Sequence, residues 1–486
     1  MKIRSRKTLQ ACAEEAFPVD GSGLRRSLGF AGLTAFGVGS TVGAGIFSLT
    51  GQVAAHQTGP AVSLAFVLAS VCCFFAGLCY AEFAAMVPIS GSAYSYAYVS
   101  FGERIAWLIG WTLILEWLFS ASVVAISWSG YTLATLSEYG ITLPAALTQA
   151  PLTLDDHGTW SRSGAYINIP AMAVVIACTA LLLVGTRTSS VINTVIVSAK
   201  VVALLILVAV GAQYVRTGNW HPFVPTNTGD FGHFGWSGVV RGAGILFFAY
   251  LGFDGVSTLA GDARDPQRTV PWSLFASLLI CTVLYVSVSV VVTGLADYRS
   301  LDVPDPLYLA LSADQGQILI VRHLVAFVAI VGLFSVILTC ILGQVRIFYS
   351  MARDGLLPAA MGRVAGVNGT PFVATLVTGF FSCLIAGLLP LDVLGELASI
   401  GTLLAFASVC AGVLILRRTA PAAHRPFRTP WVPFVPIMGI VSCCALMLSL
   451  PVQSWLRLIA WLVVGTLIYV LYGRRHSKVG ATHERP

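Results

Sequence analysis

The chain has 486 residues, of which 57% are hydrophobic and only 10% are charged, and its mean hydropathy is +0.83. Soluble proteins carry about 25% charged residues, so this composition excludes a soluble globular protein and predicts an integral membrane protein. The net charge of +7 does not indicate nucleic-acid binding, because the basic residues are spread among loops and do not cluster on one face.

Apolar runs of about 20 residues predict transmembrane helices, and the chain contains twelve of them. The third and eighth runs are longer than a bilayer requires, which predicts tilt or extension beyond the membrane. The predicted fold class is therefore an all-α integral membrane protein with one domain over 29–473, between tails at 1–28 and 474–486. The predicted spans cover about 29–54, 60–86, 101–134, 166–185, 190–214, 235–260, 272–296, 321–350, 371–389, 393–416, 431–450 and 454–473.

The distribution of basic residues predicts the orientation of the chain in the membrane. The tails and loops on one side carry 20 of the 28 lysines and arginines, so that side is predicted to be cytoplasmic. An even number of spans places both termini on that cytoplasmic side, and the protein is predicted to lie in the inner membrane of the cell. The polar start of the chain lacks the apolar core of a signal peptide. The longest predicted outer loops, expected to act as gates or lids, are 135–165, 215–234 and 297–320.

The 11 cysteines predict neither a disulfide framework nor a metal site. Ten lie within apolar runs and Cys12 lies in the N-terminal tail, and no His/Cys spacing resembles a zinc site. We expect them to be small apolar packing residues. No metal and no cofactor is predicted.

Four glycines crowd residues 37–47, in the middle of the first predicted span. Each costs a helix roughly 1 kcal/mol relative to alanine, so the helix is weak there. A glycine-interrupted span is the sequence pattern typical of a transporter substrate site, where half-helix N-termini offer N–H groups to an anion. A close-packed helix face of small residues remains the alternative. A dinucleotide-binding loop is excluded, because no strand–turn–helix unit surrounds the motif.

A second glycine-rich interruption, at 242–255, lies in the sixth predicted span, five spans after the first. Two interrupted helices at corresponding positions predict two five-span halves of opposite topology, with a site between them near the membrane midplane. The halves cover 29–214 and 235–416, and the two last spans, 431–473, lie outside the repeat.

Two charged residues lie deep within predicted spans. Lys200 is roughly 20 Å from Arg187 at the helical rise of 1.5 Å per residue, too far to reach the inner surface. It is either a proton carrier or a static tether for carbonyl groups of the broken first helix. Glu116 is about 20 Å from Glu103 by the same rise. It either receives a cationic substrate group or bonds polar neighbours inside the bundle.

Other residues near the interruptions receive weaker predictions. Asp254 follows the second interruption and is expected to hold backbone N–H groups rather than substrate. Phe248 and Phe253 are candidate gates over a substrate, although aromatic residues in membrane helices are more often core. Glu82 is expected to be a packing or inner-gate contact, and His56 a surface residue.

Several blocks of sequence together resemble the amino acid–polyamine–organocation superfamily, specifically its cationic amino acid transporter branch, from about residue 24 to 473. Mammalian members carry two further C-terminal spans, so the chain resembles the shorter bacterial form. The blocks are GVGSTVGAGIFSLTG (37–51), GLCYAEFAAMVPISGSAYSYAYVSFGE (77–103), GWTLILEW (110–117), FFAYLGFDGVST (247–258), DPQRTVP (265–271) and GQVRIFYSMARDGLLP (343–358).

The resemblance implies a LeuT-type five-plus-five inverted repeat with discontinuous first and sixth helices. In such proteins the substrate α-carboxylate meets N–H groups of the broken first helix, here those of Gly43, Ala44 and Gly45. The α-amino group meets carbonyl groups around Thr41, Phe248, Ala249 and Leu251.

The resemblance also assigns roles to three side chains. Lys200 matches the lysine that stands where sodium-coupled relatives hold a sodium ion, which implies proton coupling. Glu116 matches the third-helix glutamate of the cationic branch. Leu333 matches a position in the eighth helix that borders the pocket for the substrate side chain.

Four departures weaken the inference that arginine or lysine is the substrate. Thr41 stands where the branch usually has an aliphatic residue, and Ala44 where it often has a hydroxyl. Phe334 adds bulk where threonine is common, and Gly261-Asp262 replaces a pair of glutamates at the end of the sixth helix.

The sequence therefore predicts a secondary active amino acid permease, taking up cationic or small neutral L-amino acids with protons by alternating access. An exchanger remains an alternative, as does an amino acid sensor without transport. An enzyme has the least support, because no nucleophile–base constellation appears. The predicted partners are the amino acid, protons and the lipid bilayer, with no prediction for oligomeric state or accessory subunits.

Overall fold

The structure is a computed structural model that describes residues 28–87, 92–154, 159–184, 190–258, 263–312, 318–365 and 370–478. The N-terminal tail, the pair Gly261-Asp262 and the end of the C-terminal tail lie outside these residues. The α-helices are Phe30–Thr41, Thr50–Val53, Val62–Met86, Ser92–Phe101, Glu103–Glu138, Ile169–Val184, Ser190–Gly211, Gly235–Leu246, Gly255–Thr258, Pro266–Leu295, Pro306–Ser312, Leu319–Arg353, Phe372–Leu388, Leu391–Thr419, Phe434–Ser449, Val452–Ile468 and Arg474–His476.

The described residues contain eight helical segments long and apolar enough to cross a membrane, and three shorter apolar helices. One of the eight, Phe30–Met86, contains both the first and the second predicted spans. The third and eighth predicted spans correspond to helices of 36 and 35 residues, so the expected extra length is present. The shorter helices are Ile169–Val184, Phe372–Leu388 and Phe434–Ser449.

Some local structure was not predicted. A buried helix, Ser92–Phe101, lies between the second and third spans and packs against both the third and tenth. Two small antiparallel hairpins also occur, one in a predicted outer loop and one in a predicted inner loop. Their strands are Leu152–Leu154 with Trp160–Arg162, and Val364–Ala365 with Thr370–Pro371.

The long third helix, Glu103–Glu138, forms the centre of the bundle. Its apolar stretch is 94% buried, whereas that of the last segment, Val452–His476, is only 22% buried and lies at the periphery. The third helix packs against the eighth, Leu319–Arg353, and the tenth, Leu391–Thr419. Side chains near its middle therefore lie far from the outer surface of the bundle.

Both predicted interruptions are present. In the first span, the α-helix Phe30–Thr41 ends at Val42, whose φ of −75° and ψ of 88° are not helical, and a π-helix begins at Gly45. In the sixth span, Gly235–Leu246 tightens into a 3₁₀ turn, Phe247–Tyr250, and then leaves the helix until Gly255. Each interruption leaves backbone groups without the usual partners inside the helix.

Glycines allow the two interruptions to touch. A Cβ added to Gly45 would lie 2.3 Å from both Cα and Cβ of Ala249, so only glycine fits at this crossing. Gly252 has a φ of +105°, in the region that favours glycine, and its added Cβ would lie 2.7 Å from the backbone of Ser40. The glycines predicted to weaken the helices thus also permit their close approach.

The predicted inner side is held by a buried ion-pair network around Glu82. This carboxylate accepts two hydrogen bonds from Arg417, at 3.0 and 2.8 Å, and one from Arg425 at 3.1 Å. It also accepts from the backbone N–H of Thr429 at 2.8 Å. The network fastens the second span to the segment after the tenth, as expected for an inner contact.

The described cysteines behave as packing residues. Nine of the ten are buried, and all ten are free thiols. Cys72 and Cys443 bring their Sγ atoms within 3.5 Å of each other between the second and eleventh spans, without a disulfide bond.

The Gly45→Ala variant is expected to lower the thermal stability of the protein, because its new Cβ overlaps Ala249 and overpacking costs about 1–3 kcal/mol. The matched control is Gly32→Ala in the same span, whose new Cβ would lie at an ordinary 3.5 Å from Leu28. Both variants are heated in detergent and the fraction remaining monodisperse is measured by size-exclusion chromatography. Equal melting of the two variants would contradict the close crossing.

Candidate functional site between two broken helices

A small cavity lies where the two interruptions meet the third and eighth helices. It measures about 20 Å³, which accommodates a water molecule but not an amino acid. It is lined by Ser40, Thr41, Gly43, Ala44, Gly45, Glu116, Trp117, Ser120, Val124, Phe248, Leu251, Gly252, Val336, Thr339 and Cys340.

Four buried polar atoms on the wall of this central cavity have no hydrogen-bond partner within the described part of the chain. They are the hydroxyl of Thr41, the indole N–H of Trp117 and both carboxylate oxygens of Glu116. A buried polar atom without a partner costs about 1–3 kcal/mol, so several in one cavity require a physical reason. A polar ligand that enters when the cavity widens is such a reason.

Glu116 is the one carboxylate in the cavity lining, and it is only 1% exposed. Thr402 lies close enough to interact with it, but the Thr402 hydroxyl donates to the carbonyl of Ala398 at 2.9 Å. The backbone carbonyl of Glu116 accepts from Ser120 one turn further along the same helix. The carboxylate is therefore free to receive a donor from inside the cavity.

The residues at the first interruption line the cavity, and their N–H groups have no side-chain acceptor among the described residues. No side chain in the described residues accepts a hydrogen bond from the N–H of Gly43, Ala44 or Gly45. The helical run that starts at Gly45 continues to Thr58, and the first N–H groups of such a run have no partner inside it. This geometry offers donors to an anion at the positive end of a helix.

The carbonyl groups at the interruptions, in contrast, have resident donors. The hydroxyl of Tyr285, on the seventh helix, lies 2.7 Å from the carbonyl oxygen of Thr41 and 2.9 Å from that of Ala249. A phenol has a single proton, so it donates to one of the two carbonyls at a time. Ser40 donates to the carbonyl of Gly252 at 2.9 Å. These two hydroxyls join the interruptions across the site.

Lys200 is 1% exposed and reaches the first interruption from the fifth helix. Its ammonium donates to the carbonyl of Gly39 at 2.6 Å and to that of Val42 at 3.0 Å. Its aliphatic stem passes Gly332, where an added Cβ would lie 2.5 Å from Lys200 Cδ. The lysine contacts the backbone behind the central cavity and does not line the cavity itself.

Three other predicted residues also lie outside the cavity lining. Ala249 contributes its backbone to the helix crossing, and Leu333 is buried one turn nearer the predicted outer end than the lining residue Val336. Phe253 packs edge-on against Phe406, with ring centroids 5.5 Å apart. Phe248 does line the cavity, so the two predicted gates occupy different places.

Asp254 is fully buried after the second interruption and accepts hydrogen bonds from the backbone of Gly252 and Gly255. Ser92 approaches Oδ2 of the same carboxylate at 3.5 Å. This arrangement matches the expectation that Asp254 holds backbone N–H groups.

The comparisons with known proteins identify the family. The family model described as amino acid permease matches residues 28–476. The chain belongs to this amino acid permease family. The resemblance to the amino acid–polyamine–organocation superfamily is therefore confirmed, and membership indicates a multi-pass membrane transporter rather than an enzyme.

Relatives of this permease carry different substrate names. The chain is 42% identical over 454 residues to the methylthioribose transporter of Bacillus subtilis (strain 168), covering 93% of this chain and 95% of the relative. It is 40% identical over 459 residues to the branched-chain amino acid permease BcaP of the same organism, covering 94% and 95%. It is 36% identical over 396 residues to human cationic amino acid transporter 4, covering 81% and 60%.

Some lining residues of this permease could have been predicted from their spacing in the sequence. Ser120 and Val124 follow Glu116 at intervals of four residues, so all three share one face of the helix. Val336 and Cys340 share a face in the same way. Tyr285 has no such signal, because a tyrosine in an apolar helix is more often core than a contact to broken backbone.

The Tyr285→Phe variant is expected to destabilise the permease by about 1–3 kcal/mol, because it removes the resident donor from two buried carbonyl groups. The matched control is Tyr250→Phe, because the hydroxyl of Tyr250 donates to the carbonyl of Phe66 at 3.0 Å, and Phe66 lies within a continuous helix. Thermal melting of both variants in detergent measures the difference. A larger loss for Tyr250→Phe would contradict the importance of the bridge.

Proposed function

We propose that this permease takes up L-amino acids with protons by alternating access, with substrate bound between the two interruptions. The observation that carries the proposal is the central cavity, which is lined by four unpartnered polar side-chain atoms and by residues whose N–H groups have no side-chain acceptor in the described part of the chain. A zwitterion supplies both signs of charge that such broken helices accommodate.

The proposed binding mode places the substrate α-carboxylate at the N–H groups of Gly43, Ala44 and Gly45. The α-ammonium binds carbonyl groups at Thr41, Phe248, Ala249 and Leu251, displacing the hydroxyl of Tyr285 from the oxygens it now contacts. An ammonium has three donors where the phenol has one, so it satisfies both of these carbonyls together.

The proposed architecture has twelve membrane crossings, two inverted five-span halves and cytoplasmic termini in the inner membrane. The contacts of the described chain ends support a common side for both termini. Leu28 pairs with Ala263, and the N–H of Lys478 donates to the carbonyl of Asp354 at 3.2 Å, both beside predicted inner loops.

Lys200 is the proposed proton carrier. Its ammonium bridges carbonyls on the two sides of the end of the first half-helix, so the loss of a proton weakens the hold on the interruption. Protonation and the geometry of the substrate site are then linked through Gly39 and Val42. The alternative, a static tether, uses the same contacts without a change of charge.

The substrate class depends on what Glu116 receives. A basic side chain would form a charge-assisted bond to this carboxylate, whereas an aliphatic one would leave it without a partner. A methylthioribose-like substrate is a second candidate, favoured by the 42% relative, because its hydroxyls can also donate to Glu116. That substrate, however, has no carboxylate for the N–H groups at Gly43 to Gly45.

Uptake into proteoliposomes tests the proposed function. The protein is reconstituted and presented with labelled arginine, leucine, alanine and methylthioribose, with and without an inward proton gradient. Gradient-stimulated uptake of an amino acid supports the proposal, and rapid exchange only into preloaded vesicles would instead indicate an exchanger. Amino acid binding with neither uptake nor exchange would indicate a sensor, and uptake of methylthioribose alone would overturn the substrate class.

The Lys200→Met variant is expected to lose accumulation driven by a pH gradient and to retain exchange. With one proton per substrate, a gradient of one pH unit supports up to about tenfold accumulation, which should fall to equilibration in the variant. Lys200→Arg is the matched control for the tether, because it keeps a positive donor that does not titrate. Full pH-driven accumulation by Lys200→Met would rule out the proton carrier.

The Glu116→Gln variant is expected to weaken binding of arginine and lysine by about tenfold or more, while leucine and alanine change little. The reason is the loss of a charge-assisted bond that only basic side chains make. Glu138→Gln, at the predicted outer end of the same helix, makes the same chemical change away from the cavity. Competition binding in detergent measures both variants, and equal losses for alanine and arginine would mean that Glu116 is structural.

A further inference from the structure

The described end of the chain returns to the bundle on the predicted inner side. After the last span, the π-helical turn Tyr469–Gly473 leads into the short helix Arg474–His476 and then to Ser477 and Lys478. The side chains of the short helix are exposed, whereas Ser477 contacts the interior of the bundle. Residues 474–478 are called the C-terminal strap below.

The first contact of the C-terminal strap is with Glu103, a buried carboxylate at the start of the third helix. Ser477 donates to Oε2 of this carboxylate at 2.5 Å, and Tyr469, just before the strap, donates to Oε1 at 2.8 Å. Tyr98 also donates to Oε2, at 3.1 Å. Hydrogen bonds to a carboxylate are stronger than those between neutral groups, so Glu103 holds the strap against the bundle.

The second contact of the strap is with the end of the eighth helix. The backbone N–H of Lys478 donates to the carbonyl of Asp354 at 3.2 Å. The next residue, Gly355, has a φ of +84°, in the region that favours glycine, and an added Cβ there would lie 2.3 Å from the carbonyl oxygen of His476. The glycine therefore lets the strap lie directly on the backbone at this helix end.

The residues that hold the strap also hold the buried helix Ser92–Phe101, which lies between the second and third spans. Tyr94 and Tyr98 are one turn apart on this helix and share a face. Tyr94 donates to Oδ2 of Asp354 at 2.7 Å, and Tyr98 donates to Glu103. The strap and one face of the buried helix are therefore fastened to the same two residues.

The opposite face of the buried helix contacts the sixth span just after the second interruption. Ser92 approaches Oδ2 of Asp254 at 3.5 Å, and the hydroxyl of Tyr96 lies beside Ser257. Residues two apart in a helix point to nearly opposite sides, so Tyr96 faces away from the tyrosines on either side of it. The buried helix thus has the strap on one side and the sixth span on the other.

We propose that the C-terminal strap holds the inner side of the permease closed, and that its release speeds inward opening. While the strap is bound, Glu103 and Asp354 keep the buried helix pressed against the sixth span. When the strap leaves, Glu103 loses the Ser477 hydroxyl and the buried helix gains freedom to move with the sixth span. This regulatory role rests on the proposed alternating access but not on the identity of the substrate.

The test measures access to a reporter thiol on the inner half of the first span. Thr34→Cys supplies the reporter, because the hydroxyl of Thr34 is buried and has no partner among the described residues. A membrane-impermeant maleimide is added to the full-length protein in lipid nanodiscs. The labelling rate is measured above that of the same protein without the reporter, so it reports how often the inner side opens.

Ser477→Asp, added to the reporter protein, is expected to raise the labelling rate about threefold or more. It replaces a donor to Glu103 with a second carboxylate, so like-charge repulsion drives the strap away. Ser477→Ala only removes the hydrogen bond and should act in the same direction more weakly. The matched control is His476→Asp, which adds the same charge on an exposed side chain of the strap and should label like the reporter alone.

A double variant separates release of the strap from general damage to the fold. On a Glu103→Gln background, Ser477→Asp should cause little further increase in labelling, because a neutral amide does not repel the new carboxylate. The same increase on both backgrounds would mean that Ser477→Asp disturbs the protein in another way, and would overturn the proposal.

The labelling rates also separate failure of this inference from failure of the proposed function. A reporter that is labelled at one rate with and without Ser477→Asp, in a protein that transports, would overturn the role of the strap alone. A reporter that is never labelled, in a protein without uptake or exchange, would overturn the proposed alternating access and the role of the strap with it.

Discussion

The structure depends on how the backbone is satisfied where two membrane helices stop being helical. A lipid environment offers no water to these groups, so the protein must supply partners. It does so unevenly. Tyr285, Ser40 and Lys200 donate to carbonyl oxygens at the interruptions, whereas no described side chain accepts from the N–H groups of Gly43 to Gly45. Among the backbone groups at the interruptions, the N–H groups therefore lack an acceptor whereas the carbonyl groups have donors, which is the physical basis for expecting an anionic group on the ligand.

Much of this arrangement was predictable, because its signals lie within short stretches of sequence and are residues that are energetically unfavourable inside a membrane helix. Glycines in the middle of an apolar run, such as Gly45 and Gly252, weaken the helix wherever they occur, and the interruptions appear where they cluster. A lysine or glutamate within such a run requires a buried partner or a cavity, whatever the rest of the chain does. The energetic cost of burying a charge alone therefore marked Lys200 and Glu116 as candidate site residues, and the structure places Lys200 behind the central cavity and Glu116 on its wall.

The remaining features depend on which distant segments meet, and single-sequence patterns carry little of that information. The bridge from Tyr285 to two carbonyls exists because the seventh span crosses both interruptions, yet the residue is ordinary for an apolar helix. The same reason explains why Leu333 lies one turn from the cavity wall although Val336 is on it: the register of the eighth helix is set by packing against Glu103–Glu138. The contact of His56 with Asp302, likewise, joins positions about 250 residues apart in the chain, which the local sequence does not indicate.

The two sides of the central cavity differ, and the difference bears on alternating access. On the predicted outer side lies a cavity of about 350 Å³, whereas toward the predicted inner side Phe253 packs on Phe406. Also toward that side, the hydroxyl of Tyr80, Oδ1 of Asp254 and the amide of Gln344 are buried without partners among the described residues. Each costs about 1–3 kcal/mol in this state. Under the proposed alternating access, opening the inner side would admit water to these groups and recover that cost.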